Sequence, residues 1–326
     1  MIYNQWYAVL PSKAIKKGKL ISVKRLNMDL VVFRTGSGNL CCVVDQCTHR
    51  GAALSKGKLI GDCIQCPFHG LEFAADGKCR FIPANGLSSK EDLSRYNVKS
   101  FSVREQYGIV YIWYGDKESI ANELPFFYDN IDDSFAYSEI EDHWNSHYSR
   151  SIENQLDVVH LPFVHHNTIG RGNRTLVNGP KVAVKGNTIT TSANNDVDLG
   201  QTPKKHEECT INSTYVSFMF PNIWINNISE EIKVFIYFAP VDDENTVLYI
   251  RFYCKLSKLK LINQVIAFFG KFGNRKIERQ DKRVVITQKP KPSALRSKEK
   301  LIPGDRPIIE YRRMRDILQK SGNNDD

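Results

Sequence analysis

Two short loops of metal-binding residues constrain this chain more than any other feature. Cys47-Thr48-His49-Arg50-Gly51 reads C-x-H, and sixteen residues further on Cys66-Pro67-Phe68-His69-Gly70 reads C-x-x-H. Each loop offers one thiolate and one imidazole. Each ends in glycine, which lets the backbone turn tightly around a buried centre.

The grouping of these donors narrows the metal. Cys₂His₂ zinc sites usually pair cysteine with cysteine and histidine with histidine. Here each loop mixes the two, which suits a [2Fe–2S] centre with both cysteines on one iron and both histidines on the other, a Rieske centre. Cys47 and Cys66 then hold one iron, His49 and His69 the other. The chain has eight cysteines, an even number, but nothing marks a secreted disulfide scaffold. Cys41, Cys42, Cys63 and Cys79 read as small core residues.

A second dense segment runs from Glu153 to His166. Asn154, Asp157 and His160 are spaced by three, so a helix would place them on one side. A face carrying Asp and His beside Leu156 is costly to bury unless its polar groups are paired or bind metal. His165 follows His160 by five, with Pro162 between. A regular helix would set these two about 140° apart, so the helix must end or distort if both rings converge. In the later helical pattern, Leu259 to Gln288, Asp281 falls on the apolar stripe with Ile277 and Val285. It does not share the charged face of Arg279, Lys282 and Arg283. A carboxylate there needs a cation. Two His and one carboxylate form the facial triad of non-haem Fe(II), which leaves positions open for O₂. The alternatives are a satisfied core His pair and a salt bridge from Asp281 to Arg275, Lys276 or a distant Arg.

The 326 residues leave room for about two domains. Residues 1–115 read as short strands and turns. Leu30–Arg34 and Leu40–Val44 suggest one hairpin, Tyr96–Val103 and Ile109–Tyr114 another. Asp116 to Pro125 looks like the exit from this all-β domain. The second half reads as α+β: a helix over Ser151–His160, a hairpin around Gly186-Asn187, a strand over Tyr215–Asn227, and two long strands, Ile232–Ala239 and Thr246–Cys254. The late helix is expected to break at Gly270 and Gly273. The expected division is a Rieske domain over 1–120, a catalytic domain over 121–320 and a disordered tail over 321–326.

The order and separation of the two motifs resemble the Rieske non-haem iron oxygenases, and more narrowly the oxygenase (alpha) components of the vanillate O-demethylase and phthalate oxygenase group. The resemblance covers nearly the whole chain. It implies a helix-grip (START-like) catalytic domain with an antiparallel sheet. It implies that His160, His165 and Asp281 hold a mononuclear Fe(II), with Asn154 orienting. Asp157 would bridge to His69 of a neighbouring subunit in a head-to-tail homotrimer. It further implies a separate flavin or iron–sulfur reductase, or a ferredoxin, passing electrons from NAD(P)H to the cluster and on to the iron. There O₂ is used for hydroxylation or O-/N-demethylation of a small aromatic or cyclic substrate. Leu71 follows His69-Gly70 where the family often has Trp, and Glu278-Arg279-Gln280-Asp281 fits the family only loosely.

The readings that compete with this are a cis-dihydroxylating dioxygenase, a Rieske electron carrier, a ligand-binding protein without catalytic iron, and a zinc-dependent nucleic-acid binder. The first keeps both metals. The next two leave the His/Asp set idle, and the metal grouping argues against the last. Phe218, Trp224 and Asn226 are candidate pocket residues.

The net charge of +9 is unevenly placed. Residues 251–326 hold 20 Lys+Arg against 8 Asp+Glu. Such a region suits nucleic acid, an anionic membrane or an acidic protein, and an acidic reductase is the expected partner, with no nucleic acid. Met1 to Leu10 lacks the basic start and apolar run of a signal peptide. No stretch approaches the roughly 20 apolar residues of a membrane span. The cytoplasm is therefore the expected compartment, with no transmembrane anchor.

Overall fold

The computed structural model describes residues 1–322. The chain divides into a unit of Asn4–Leu124 and a second formed by Met1–Tyr3 with the chain from Pro125 onward. The first three residues thus leave the domain the sequence assigns them to. The cause is apolar: Ile2 is buried in the second unit's core with Trp144, Tyr148 and Tyr311.

The first unit is all β. One sheet joins Gln5–Pro11, Ile109–Tyr114 and Val103–Gln106. A second joins Leu20–Arg25, Met28–Arg34, Leu40–Val44 and Ser100–Phe101. A third joins Lys58–Ile60, Cys63–Gln65, Glu72–Phe73 and Cys79–Phe81. The strands follow β-branched and aromatic runs such as Ile109-Val110-Tyr111-Ile112-Trp113, every residue of which is buried. Leu30–Arg34 pairs with Leu40–Val44 as expected. The other hairpin is shifted. The partner of Ile109–Tyr114 is Val103–Gln106, joined through Tyr107 and Gly108 with φ of 50° and 68°. Two positive φ values in a two-residue turn match the right-handed twist of the strands. Ser100–Phe101, inside the expected strand Tyr96–Val103, pairs instead with Cys42–Val43.

The second unit is α+β. Its antiparallel sheet has seven strands, in the order Ala136–Trp144, Thr246–Cys254, Ile232–Pro240, Ile223–Asn227, Tyr215–Met219, Thr188–Thr191, Val182–Lys185. The expected single strand Tyr215–Asn227 is a hairpin, because Pro221 has no N–H for the ladder. Phe218 therefore faces Trp224 across it. Among the described residues, four helices accompany the sheet: α1 (Tyr148–Leu156), α2 (Leu161–Val164), α3 (Lys260–Val285) and α4 (Arg306–Gly322).

Side chains alternate across the sheet as the pleat requires. Ile140, Trp144, Val234, Ile236, Leu248 and Ile250 form one core with Tyr148, Ile152 and Leu156 of α1 and Tyr311 of α4. On the opposite face Phe126 and Phe127 pack against Phe235. There Arg251 is buried against Glu139 at 2.7 Å.

Helix α3 is not broken at Gly270 or Gly273. Gly270 marks a close approach, since a Cβ there would lie 2.5 Å from the Phe252 ring. Ser321 and Gly322, expected in a disordered tail, close α4; residues 323–326 lie outside the described residues.

Candidate metal centres

The two cysteine–histidine loops are built alike. In the first, Cys47 N–H donates to Ala52 O at 2.8 Å and Gly51 N–H to Cys47 O at 2.9 Å. In the second, Cys66 N–H donates to Leu71 O at 2.8 Å and Gly70 N–H to Cys66 O at 3.2 Å. Gly51 and Gly70 have φ of 73° and 76°, a region that favours glycine. The loops present their donors asymmetrically. Cys47 and Cys66 are buried, whereas His49 and His69 are exposed with ring centroids 4.5 Å apart. Burial, together with the Cys66 thiol, pushes the Cys47 thiol up to about 11, while the N–H groups of His49 and Arg50 act the other way. Two thiols behind two imidazoles fit the donor set of a Rieske [2Fe–2S] cluster, cysteines inward and histidines at the surface. Leu71 is buried beneath the second loop, so the position fills core space without Trp. Cys41, Cys42 and Cys79 are buried and Cys63 half-buried, and all eight cysteines are free.

The second cluster forms where helix geometry fails. The sequence places one helix over Ser151–His160, but α1 ends at Leu156 and Asp157 is extended, with ψ of 127°. Its carboxylate Oδ1 then accepts from Val159 N–H at 2.6 Å and starts a new turn. Pro162 sits in the first turn of α2, where its missing N–H costs nothing. The resulting bend brings the His160 and His165 ring centroids to 5.1 Å. Asn154, Asp157 and His160 therefore do not share one helix face.

Asp281 comes from α3 and is 3% exposed. Its Oδ1 lies 2.9 Å from His165 Nε2 and 3.4 Å from His160 Nε2. Neither approach has hydrogen-bond geometry, so Oδ1 is a buried oxygen without a hydrogen-bond partner. A buried anionic oxygen in that condition is rare unless a cation completes it. One donor atom from each of the three residues lies within 4.8 Å of the others. Two imidazole nitrogens and one carboxylate oxygen fit a non-haem iron. His166, the adjacent alternative, is exposed and bonds to Phe163 O.

The surrounding side chains set the orientation of these donors. Gln280 Oε1 accepts from His165 Nδ1 at 2.9 Å and from Thr168 Oγ1 at 2.8 Å. Its Nε2 donates to Asn167 Oδ1 at 2.7 Å, which fixes the amide. The proton on Nδ1 leaves the Nε2 lone pair free for a metal. Gln155 Nε2 donates to Asp281 Oδ2 at 3.3 Å, and Trp224 Nε1 ties the end of α1 through Gln155 O at 3.0 Å. On the far side of His160, Asp157 Oδ2 lies 3.5 Å from Nδ1.

The protein groups alone polarise the site. Burial would raise the Asp281 carboxyl, but His160 and His165 outweigh it and hold it at about 2. Burial would lower His160, but Asp157 and Asp281 raise it to about 9. One turn back on α3, burial and the neighbouring Asp142 push Glu278 up to about 8. Trp144 Nε1 donates to Glu278 Oε1 at 2.9 Å, and Lys282 Nζ to Asp142 Oδ1 at 2.7 Å. Glu278 and Asp142 thus share a proton near neutral pH.

A cavity of about 410 Å³ opens onto these residues. Its walls are mainly apolar, with Val158, Leu161, Ile236 and Ile277, and Asn154, Asn226 and Glu278 supply polar groups. Trp224 and Asn226 line it. Phe218 does not: it shares a sheet face with its cross-strand partner Trp224, but its ring packs in the core against Phe220 and Tyr311, away from the cavity. Asn154 Nδ2 is buried with no hydrogen-bond partner among the described residues. Sequence reasoning did not single out Gln155, Gln280 or Glu278. For Glu278 a signal existed, since it lies three residues before Asp281 on the same face of α3.

Comparison with known proteins agrees with this arrangement. Residues 5–101 match the Rieske [2Fe–2S] domain, and residues 144–321 match the vanillate O-demethylase oxygenase C-terminal domain. Among curated proteins, the chain is 32% identical over 169 residues to chlorophyllide a oxygenase of Chlamydomonas reinhardtii, covering 52% of this chain and 25% of that protein. It is also 32% identical over 169 residues to the oxygenase component of chloroacetanilide N-alkylformylase of Rhizorhabdus wittichii, covering 50% and 47%. The chain therefore matches between a quarter and a half of the length of these relatives. The solved structure of NdmA from Pseudomonas putida CBB5 superposes with a TM-score of 0.81 at 22% identity, covering 98% of this chain and 92% of that one, a likeness of fold. With a Rieske domain ahead of a matching oxygenase C-terminal domain that spans more than half its length, the chain belongs to the Rieske oxygenases of the vanillate O-demethylase type.

Proposed function

We propose that this chain is the terminal oxygenase component of an electron-transfer system that hydroxylates or demethylates a small cyclic organic substrate. The observation that carries the proposal is the buried Asp281 Oδ1, without a hydrogen-bond partner, facing His160 and His165 at the wall of an apolar cavity. In this reading His160, His165 and Asp281 hold the iron, and Cys47, His49, Cys66 and His69 hold the cluster. The iron, when bound, supplies O₂ binding and its reductive activation with electrons delivered through the cluster.

The chain's own residues do the rest. The apolar walls exclude water and hold the ring system of the substrate. Trp224 has its N–H committed to Gln155, so it offers only a flat apolar surface. Asn154 Nδ2 offers a donor, which selects a substrate with a carbonyl, ether or carboxylate oxygen. Glu278 and Asp142 keep a proton beside the cavity. Gln280 holds His165 in one tautomer. A volume of about 410 Å³ falls in the range of small-ligand pockets.

Electron delivery requires a second copy. The exposed His49 and His69 suit an outgoing contact, and Asp157 accepts from His69 of a neighbouring chain in a head-to-tail homotrimer. A separate NAD(P)H-dependent reductase supplies the electrons. The cytoplasm is the proposed compartment, since eight free cysteines suit a reducing environment.

Single turnover tests the activity. Iron-replete, reduced protein mixed with ¹⁸O₂ and a panel of methoxy- and N-methyl-substituted ring compounds is expected to give formaldehyde or a hydroxylated product carrying one labelled oxygen. Two labelled oxygens in a cis-diol would establish dihydroxylation instead. A reduced cluster that reoxidises with no product from any ring substrate would remove the oxygenase reading.

A further inference from the structure

Helix α3 has two faces of opposite use. Asn263, Ala267, Glu278, Asp281 and Val285 are buried. On the other side, Leu261, Ile262, Val265, Phe268, Phe269 and Phe272 are all exposed, Leu261 by 73% and Phe269 by 63%. At about 100° per residue, Arg275, Lys276, Arg279 and Arg283 continue this outward side into the second half of the helix. The outward face is thus apolar for its first half and cationic for its second. An ordinary surface helix shows mixed polar and charged residues there. Scattered exposed apolar residues mean little, but a contiguous set of six with a charged border marks an interaction surface.

The charge is of one sign. The acidic residues of α3 are Glu278 and Asp281, and both face inward. Among the described residues, no acidic side chain pairs with Arg275, Lys276, Arg279 or Arg283. Lys271 covers the apolar half, its ammonium 3.8 Å from the Phe268 ring centre. Phe272, Arg275, Lys276, Arg279 and Arg283 also line an open groove of about 520 Å³. The apolar half extends backward into the preceding loop through exposed Leu256 and Leu259, beside Lys258 and Lys260.

We propose that the outward face of α3 docks this protein on an anionic phospholipid surface. Leu261, Val265, Phe268, Phe269 and Phe272 enter the boundary between headgroups and acyl chains, and the lysines and arginines meet the lipid phosphates. Segregated apolar and cationic residues on one helix suit a helix lying in the plane of a membrane surface. The docking is peripheral, since no helix among the described residues is long and apolar enough to cross a membrane. The inference does not depend on the catalytic reading.

Co-sedimentation of the purified full chain with phosphatidylcholine vesicles, with and without phosphatidylglycerol, tests it. Binding is expected only with the anionic lipid and is expected to fall steeply with salt. Lys271→Gln with Lys276→Gln should weaken partitioning by roughly 25-fold, at about 5-fold per cation. Phe268→Ser with Phe269→Ser should abolish it while the Rieske absorption is retained. A Phe269→Trp variant gives a readout that needs no loss of binding. Trp6, Trp113, Trp144 and Trp224 are buried, so added fluorescence quenched by brominated lipid reports insertion at position 269. Equal binding to both vesicle types, binding unchanged in the lysine and phenylalanine variants, or no quenching overturns the proposal. So does a smaller assembly in the phenylalanine variant, which would make this face a contact between copies. Loss of reductase-dependent rate in the lysine variant, without vesicle binding by the parent, would assign the face to an acidic protein.

Discussion

His165 Nε2 and Asp281 Oδ1 lie 2.9 Å apart without forming a hydrogen bond. The ring is not free to turn, because Nδ1 is already engaged by Gln280. The carboxylate is not free either, because Oδ2 is held by Gln155. Both groups are positioned from behind, and the atoms left over face one another and His160. That is the signature of donors arranged for a third body.

Gln280 is therefore expected to set iron affinity through His165 without itself being a donor. Gln280→Leu removes the acceptor for His165 Nδ1 and should weaken iron binding at this site by about 10- to 100-fold. Gln280→Glu keeps an acceptor oxygen and should retain most of the affinity. Iron titration followed by equilibrium dialysis distinguishes the two. Equal affinity in all three proteins would show that the ring needs no support.

Asp157 is expected to act in electron delivery, as proposed above. Asp157→Asn should leave the iron and cluster contents unchanged, because the carboxylate lies outside the three-donor set. Single-turnover product formation should fall steeply, at least about tenfold, which corresponds to a barrier higher by about 1.4 kcal/mol or more. Normal product yield at the normal rate would place the electron path elsewhere.

Glu278 makes a pH-dependent contribution to stability. Its folded pKa is raised to about 8 from 4.5, so the folded state holds a proton that the unfolded state releases. That stabilising contribution is complete below about pH 4.5 and is lost as pH rises toward 8. Glu278→Gln mimics the protonated acid. Melting curves between pH 6 and 9 should show a smaller loss of stability in the variant, and a more stable variant at the alkaline end. Parallel curves would mean the Glu278–Asp142 pair does not share a proton.

The buried Arg251–Glu139 pair is held at 2.7 Å, with side chains 1% and 4% exposed. Glu139→Ala leaves the guanidinium buried against Tyr137 and Tyr237 without its counter-charge. The expected cost is about 3–5 kcal/mol, read from the urea midpoint. Replacing both partners with apolar residues of similar volume should cost far less.

The parts of this molecule that were legible from sequence are those whose chemistry is local. The two cysteine–histidine loops carry their candidate ligands, their spacing and their turning glycines within a few residues. His160 and His165 were legible as a pair because five residues with Pro162 between them do not fit one regular helix, although the bend itself starts at Asp157. Asp281 was legible because a carboxylate on an apolar stripe demands a partner. What remained hidden depends on tertiary distance. Gln155 meets Asp281 across 126 residues of sequence, and no pattern announces such a contact. The strand pairing of Tyr96–Val103 was misplaced because several β-branched runs compete for one edge. Phe218 was misassigned because one sheet face both lines the cavity and carries the core, and Tyr311 of α4 packs on Phe218. Gly270 reads as a helix breaker by propensity, yet close packing against Phe252 overrides that.

The central claim is that two iron centres are built into this chain. Electron paramagnetic resonance on iron-replete protein, reduced without oxygen and then exposed to nitric oxide, tests it most directly. The account predicts a reduced Rieske signal together with a high-spin iron–nitrosyl signal. Asp281→Asn should lose only the second. A Rieske signal with no nitrosyl species in the parent protein would contradict it, leaving an electron carrier or a ligand-binding protein without catalytic iron.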